Sequence, residues 1–189
     1  AKVDLGLKAP MRFQSRPDKG FEHVVIGGDI DTVEQSFDPV KYGEVAAKPS
    51  LELYLPKADG RTVCSDGQDV CSVLVHFVSH TTTEPEASVK EKILTATLDR
   101  LQEFAPNIKE HVVQTRVMTP KDIEARYGCS GGHRFHGEMS LDQLIVRPLP
   151  EASQYQTPFA GLYLAGQGSH PGGGLTLAPG YFGARVALG

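Results

Sequence analysis

The chain has 189 residues, 40% of them hydrophobic and 22% charged, with a formal net charge of −4. That length suffices for one ordinary domain with a real core, and the composition is that of a soluble globular protein. The negative charge, with no Lys/Arg cluster to offset it, argues against nucleic acid, and no apolar run reaches the length of a membrane span.

No signal peptide opens the chain. Cys64, Cys71 and Cys129 are too few and too oddly spaced for a disulfide framework, which points to a reducing compartment and hence the cytoplasm. Ala1 to Pro17 carries neither a cap nor a strand that would begin a domain, and reads as mid-protein sequence. Phe21 to Ile26 holds two valines before its Ile and predicts a strand ending at Gly27-Gly28. Asp31 or Thr32 then caps a helix in which Val33 and Phe37 share a face, with a stop near Pro39 or Gly43. Ser50 to Leu55 alternates, with Leu51, Leu53 and Leu55 to one side and Glu52 and Tyr54 to the other, as a half-buried strand does. Asp59-Gly60 and Asp66-Gly67 are turn signals. Cys71 to Ser79 is apolar on both faces and predicts a central strand, in which His76 reads as a hydrogen-bonded core histidine rather than a ligand or base.

Thr83-Glu84-Pro85-Glu86 has the spacing of a capping box. The helix after it puts Ile93, Leu94, Leu98, Leu101 and Ala105 on one stripe, and Pro106 stops it. Glu110 to Val117 predicts a strand. Thr119 to Asp122 repeats the capping logic for a short helix ending at Gly128, and Leu144 to Val146 predicts a strand running into Arg147-Pro148. The fold class is α+β: one mixed or antiparallel sheet with helices on one face.

The tail begins with a short apolar run, Leu162 to Ala165, that reads as a buried strand. A loop follows with glycine at 166, 168, 172, 173 and 174, and then a helical run from Tyr181 to Leu188. Strand, glycine loop and helix start turn bare backbone N–H groups toward an anion or a polar cofactor edge. A Walker A loop is excluded because Gly174 stands where Lys is required. The Rossmann pattern fails because Ser169-His170-Pro171 follows Gly166-Gln167-Gly168 without a third glycine. A nucleophile elbow around Ser169 fails because Gln167 and Pro171 hold its glycine positions. His133 and His136, with Cys129 nearby, have the wrong spacing for a zinc pair, so no metal site is expected.

Gly161 to Gly180 resembles the last FAD-contacting segment of the phytoene-desaturase-like branch of the flavin-dependent amine oxidase superfamily. Thr119 to Gly128, Gly131 to Leu144 and the pair Arg147-Pro148 are similar to the same family, in the same order. The resemblance implies a substrate-side α+β domain over residues 1–160, incomplete at its start. It implies that residues 161–189 are the last segment of an FAD domain whose N-terminal Rossmann half is missing. FAD would then belong to the full-length parent and be absent from this chain alone. The parent would pass a hydride from a C–H bond of an apolar small-molecule substrate to the flavin, and the exposed face would support a homo-oligomer. In this resemblance Gly166 and Gln167 approach the ribityl-pyrophosphate, Gln167 standing where many members have an acidic residue. Gly173, Gly174, Leu175 and Thr176 offer backbone N–H groups to the flavin edge. His136 is the candidate catalytic residue, with loop-stabilising hydrogen bonds as its alternative role. The rival reading is a stand-alone binding or interaction module that lacks the cofactor half.

Overall fold

A computed structural model describes residues 1–56, 64 and 67–189, which form two compact units, Ala1–Asp122 and Ile123–Gly189. The turn signal Asp59-Gly60, and Asp66 of the second one, lie outside the described residues.

The first unit is built on strands β1 (Lys2–Leu7), β2 (His23–Ile26), β3 (Ser50–Tyr54), β4 (Asp69–His76) and β5 (Val112–Met118). They form one sheet in the order β2-β3-β4-β1-β5, and every neighbouring pair is antiparallel. β4 is the middle strand, as its apolar run predicts. Its Cys71, Val73 and Val75 are buried on one face, while Val70, Ser72, Leu74 and His76 are half-buried on the other. Val3 stands opposite Val73 on one side and Val117 on the other, so the inward rows of three strands coincide.

Against that row packs helix α2 (Glu86–Gln102), through Val89, Ile93 and Leu101, and Ile108 of the short helix α3 (Ile108–His111) adds to the same core. These α2 positions fall on one stripe because they are four and eight residues apart. Thr97 lies in the stripe too, and its hydroxyl donates to the Ile93 carbonyl at 2.7 Å, so no polar group is buried unpaired there. Burial also pushes the Cys71 thiol up to about 12, which makes it an inert core residue. All three cysteines are free. Among the described residues no helix is long and apolar enough to cross a membrane.

Several expectations need correction. The N-terminal stretch is not strandless: Lys-Val-Asp-Leu-Gly-Leu alternates polar and apolar, and β1 lies between β4 and β5 with Val3, Leu5 and Leu7 buried. Helix α1 (Ile30–Phe37) is capped by Asp29, not by Asp31 or Thr32; the Asp29 carboxylate accepts from the Thr32 N–H at 2.9 Å and its hydroxyl at 2.7 Å. The helical run continues as a 3-10 turn and stops at Gly43, whose φ is 73°. The Thr83 box does not form: α2 starts after Pro85, and the Glu86 carboxylate accepts the Thr119 hydroxyl instead of reaching back. Thr119 does build the predicted second box, with its N–H donating to Asp122 at 3.0 Å and the Asp122 N–H to its hydroxyl at 3.3 Å, at the start of helix α4 (Pro120–Tyr127). His76 is no core histidine. It sits on the sheet's open face with Nε2 3.5 Å from Glu52 Oε2.

Leu5 on β1 therefore carries more of the core than its place near the chain start suggests. Leu5→Ala should cost about 2–5 kcal/mol in a urea titration of the first unit, whereas Val113→Ala on the exposed edge should change stability by no more than about 0.5 kcal/mol.

Candidate functional site

Beyond the end of α4, the second unit has little regular structure except helix α5 (Ala178–Leu188) and three short 3-10 turns. Two predicted strands are absent from it. Leu144–Val146 is no strand: Leu141–Gln143 is a 3-10 turn and Ile145 is exposed. Leu162–Ala165 makes a single bridge, Tyr163 to Gln156, with Leu162 exposed, because the unit supplies no further strand to pair with it.

Polar side chains take over the organising role. Arg147, 1% exposed, is the largest fully buried side chain. Its Nη2 donates to the Phe135 carbonyl at 2.6 Å and the Gly137 carbonyl at 3.3 Å, and its Nη1 to the Glu138 carbonyl at 3.1 Å. Residues 135–138 thus wrap around one guanidinium, which holds His136 at a φ of 57°. A Cβ on Gly172, at φ 68°, would stand 3.0 Å from Arg147 Nε, so any side chain here would be strained and would press on the guanidinium. Tyr155 adds a second tie, its hydroxyl donating to the His170 carbonyl at 2.8 Å, while its own carbonyl accepts the Leu164 N–H at 2.8 Å. α5 lies close on the apolar run, since a side chain at Gly183 would overlap the Leu164 carbonyl.

These ties shape a cavity of about 240 Å³ lined by His136, Pro148, Leu164, Ala165 and residues 166–169. It joins three of the predicted site residues, His136, Gly166 and Gln167, from segments thirty positions apart. Gly173, Gly174, Leu175 and Thr176 do not line it. Gln167 nonetheless reaches toward them: its Nε2 donates to the Gly174 carbonyl at 2.6 Å. Gly172, Gly173 and Gly174 have φ of 68°, 55° and 64°, three successive left-handed residues that side-chain-bearing residues would resist. Leu175 is 92% exposed, and Leu177, at φ 60°, precedes the first turn of α5.

Arg147, Tyr155 and Ser169 escaped the sequence reading as site residues. The available signal was an arginine closing the apolar run Leu144-Ile145-Val146, and an arginine is ordinarily expected at the surface, so its burial was not legible. His133 sits beside the same guanidinium. Burial first, and then the charges of Arg147 and Arg134, hold its imidazole below the ordinary value, and its Nδ1 accepts the Phe135 N–H at 3.3 Å.

No family model matches the chain. It is 35% identical over 164 residues to the rat protein named pyridine nucleotide-disulfide oxidoreductase domain-containing protein 2, a match covering 85% of this chain and 28% of that protein. It is 28% identical over 147 residues to the 4,4'-diapophytoene desaturase of Staphylococcus haemolyticus, covering 75% of this chain and 29% of the desaturase. The corresponding Staphylococcus aureus enzyme is 25% identical over 173 residues, or 80% of this chain and 34% of that enzyme. The chain therefore spans about a third or less of the length of these relatives.

Two measurements test the site's scaffold. Arg147→Met leaves three carbonyls without their donor and should cost the second unit about 3 kcal/mol or more, read as lost amide-exchange protection near residues 135–139. His133 supplies a pH test. Its folded value is depressed, so the unfolded chain binds the extra proton; the associated stability is complete above 6.5 and declines as pH falls through the folded value. His133→Asn keeps an acceptor for Phe135 without titrating, and should flatten the fall in melting temperature between about pH 6.5 and pH 5.

On these sequence matches, the chain is a homologue of pyridine nucleotide-disulfide oxidoreductase domain-containing protein 2 and of the diapophytoene desaturases.

Proposed function

We propose that this chain is the C-terminal part of an FAD-dependent oxidoreductase of the desaturase type. Residues 1–160 carry its substrate side and residues 161–189 its last flavin-contacting segment. This division follows function and differs from the compact units, of which the second is Ile123–Gly189. The reading rests above all on one observation: His136, Gly166 and Gln167 share a cavity, and Gln167 is bonded to the left-handed glycine run.

The residues present suit a flat cofactor with polar edges. A side chain added at Gly166 meets no atom within 4 Å, so the backbone there is open to close approach. Arg147 Nε and His170 Nδ1 are buried without a hydrogen-bond partner among the described residues. In this reading Gly166 and Gln167 hold the ribityl-pyrophosphate, with the Gln167 amide oxygen accepting a hydroxyl. Gly173, Gly174, Leu175 and Thr176 turn backbone N–H groups toward the ring edge beside the start of α5. FAD, when bound, supplies the acceptor for a hydride from a substrate C–H bond. His136 stands at the cavity wall and orients substrate or cofactor from there. The substrate is an apolar small molecule, in line with the diapophytoene desaturases among the relatives.

The second unit also leaves Ile145, Phe159, Leu162, Leu175, Leu177 and Leu188 exposed. We assign these exposed apolar side chains to a contact with the N-terminal Rossmann half.

The test uses the protein that carries both halves. Gly174→Val places a branched Cβ at φ 64° and should lower the flavin-to-protein absorbance ratio several-fold while the protein still folds, with a melting temperature lowered by the backbone strain and by the lost cofactor. A Gly174→Val protein that stays fully yellow would remove residues 173–176 from the flavin site. His136→Ala should keep its flavin and lose turnover.

A further inference from the structure

The first unit holds a second cavity, of about 680 Å³, within the size range of small-molecule sites. Phe13, Phe21, Val24 and Phe104 line it, and so does every residue from 23 to 28. A strand that presents a face to a cavity contributes alternate residues; all four residues of β2 in succession, followed by Gly27 and Gly28, mean that the cavity runs along the edge of β2. β2 is an outer strand of the sheet. Since Leu55 N–H donates to the Glu22 carbonyl at 2.8 Å, the alternation of antiparallel pairs turns the backbone groups of His23 and Val25 away from β3, toward that free edge.

The walls are held in place. Phe13 and Phe21 meet edge to face with centroids 5.9 Å apart. The Arg100 guanidinium, only 10% exposed, donates to the Gly27 carbonyl at 3.2 Å and lies over the Phe104 ring at 5.1 Å. Charge at the cavity is unequal. Glu103 is matched by Arg100 and by Lys48 at 3.5 Å, and His23 is bonded to Glu52 at 3.1 Å. Arg16 lines the cavity, is exposed, and has no ion-pair partner among the described residues. The unmatched charge is positive.

We propose that this cavity binds a small molecule with an apolar body and a single carboxylate. The body lies against the phenylalanines, the carboxylate meets Arg16, and the free N–H groups of β2 are further donors. Every residue lining this cavity belongs to the first unit, and the test below involves no flavin, so it can fail without the flavin reading failing.

The experiment titrates the 189-residue chain with dodecanoate and, as the uncharged match, dodecanol, by calorimetry. The chain has no Trp, so Phe104→Trp provides a fluorescence reporter in the cavity wall. Dodecanoate should bind saturably, about tenfold or more tightly than the alcohol, as a charge-assisted hydrogen bond allows. Arg16→Gln, at an exposed and unpaired side chain, should remove that difference without changing the melting temperature. A side chain at Gly27 meets no atom within 4 Å, so Gly27→Leu has room to fold while filling the cavity, and should abolish binding. Absence of saturable dodecanoate binding, equal binding of the alcohol, or unchanged affinity in Arg16→Gln would each overturn the proposal. So would a folded Gly27→Leu chain that still binds. If Gly27→Leu fails to fold, the alcohol comparison and Arg16→Gln decide.

Discussion

A single guanidinium fixes the candidate site. Burying a cation without a carboxylate is costly unless its N–H groups find acceptors, and Arg147 finds them in the carbonyls of residues 135, 137 and 138. These carbonyls belong to one short segment, so the same bonds that solvate the charge bend residues 135–138 around it. His136 is carried into its left-handed conformation by that bend, and the tail passes the guanidinium at Gly172. Remove the charge and three carbonyl acceptors lose their donor together. The geometry of the cavity is therefore a consequence of electrostatic satisfaction, with little help from apolar packing.

The first unit is held by the opposite means. Its core is a row of alternate residues from antiparallel strands, Val3, Leu5, Leu51, Leu53 and Val73, covered by the α2 stripe. Alternation and a four-residue repeat are both visible in a linear sequence, which is why most of this unit was legible there. β3, β4, the α2 stripe, β5 and the Thr119 box all follow from local pattern. β1 has the same alternation, but six residues at the start of a chain, with a glycine among them, gave too weak a signal. The Thr83 box shows a different limit: its spacing is correct, yet Glu86 takes a hydroxyl thirty-three residues away, and local spacing carries no information about such a competitor.

In the second unit, local pattern failed for a physical reason. An apolar run predicts burial, and burial as a strand needs a neighbour that continues the ladder. Leu162–Ala165 has one bridge, and Leu144–Val146 has none. What replaces the ladder is a set of side-chain-to-backbone bonds from Arg147, Tyr155 and Thr157, whose partners lie up to fifteen positions away. Such bonds have no periodicity to read. The glycines were legible because left-handed backbone favours them, whereas the left-handed His136, Tyr155 and Leu177 gave no such signal. Their coupling to Gln167 was not.

That coupling changes the meaning of Gln167. In the resembling family an acidic residue is common at this position, and a glutamine there looks like a loss of charge with the acceptor kept. In this chain the amide nitrogen also donates to the Gly174 carbonyl. A carboxylate has no N–H to offer, and its charge would repel the carbonyl it faced. The glutamine thus serves two segments at once, with one end on the last of three left-handed glycines and the other available beside Gly166. A loop of successive glycines has unusual conformational freedom, and fixing it in one state costs more entropy than fixing any other sequence of that length. One short charge-free hydrogen bond across the loop offsets part of that cost before any ligand arrives. On this geometry, a glutamine at 167 fixes the loop through a bond that an acidic residue could not make.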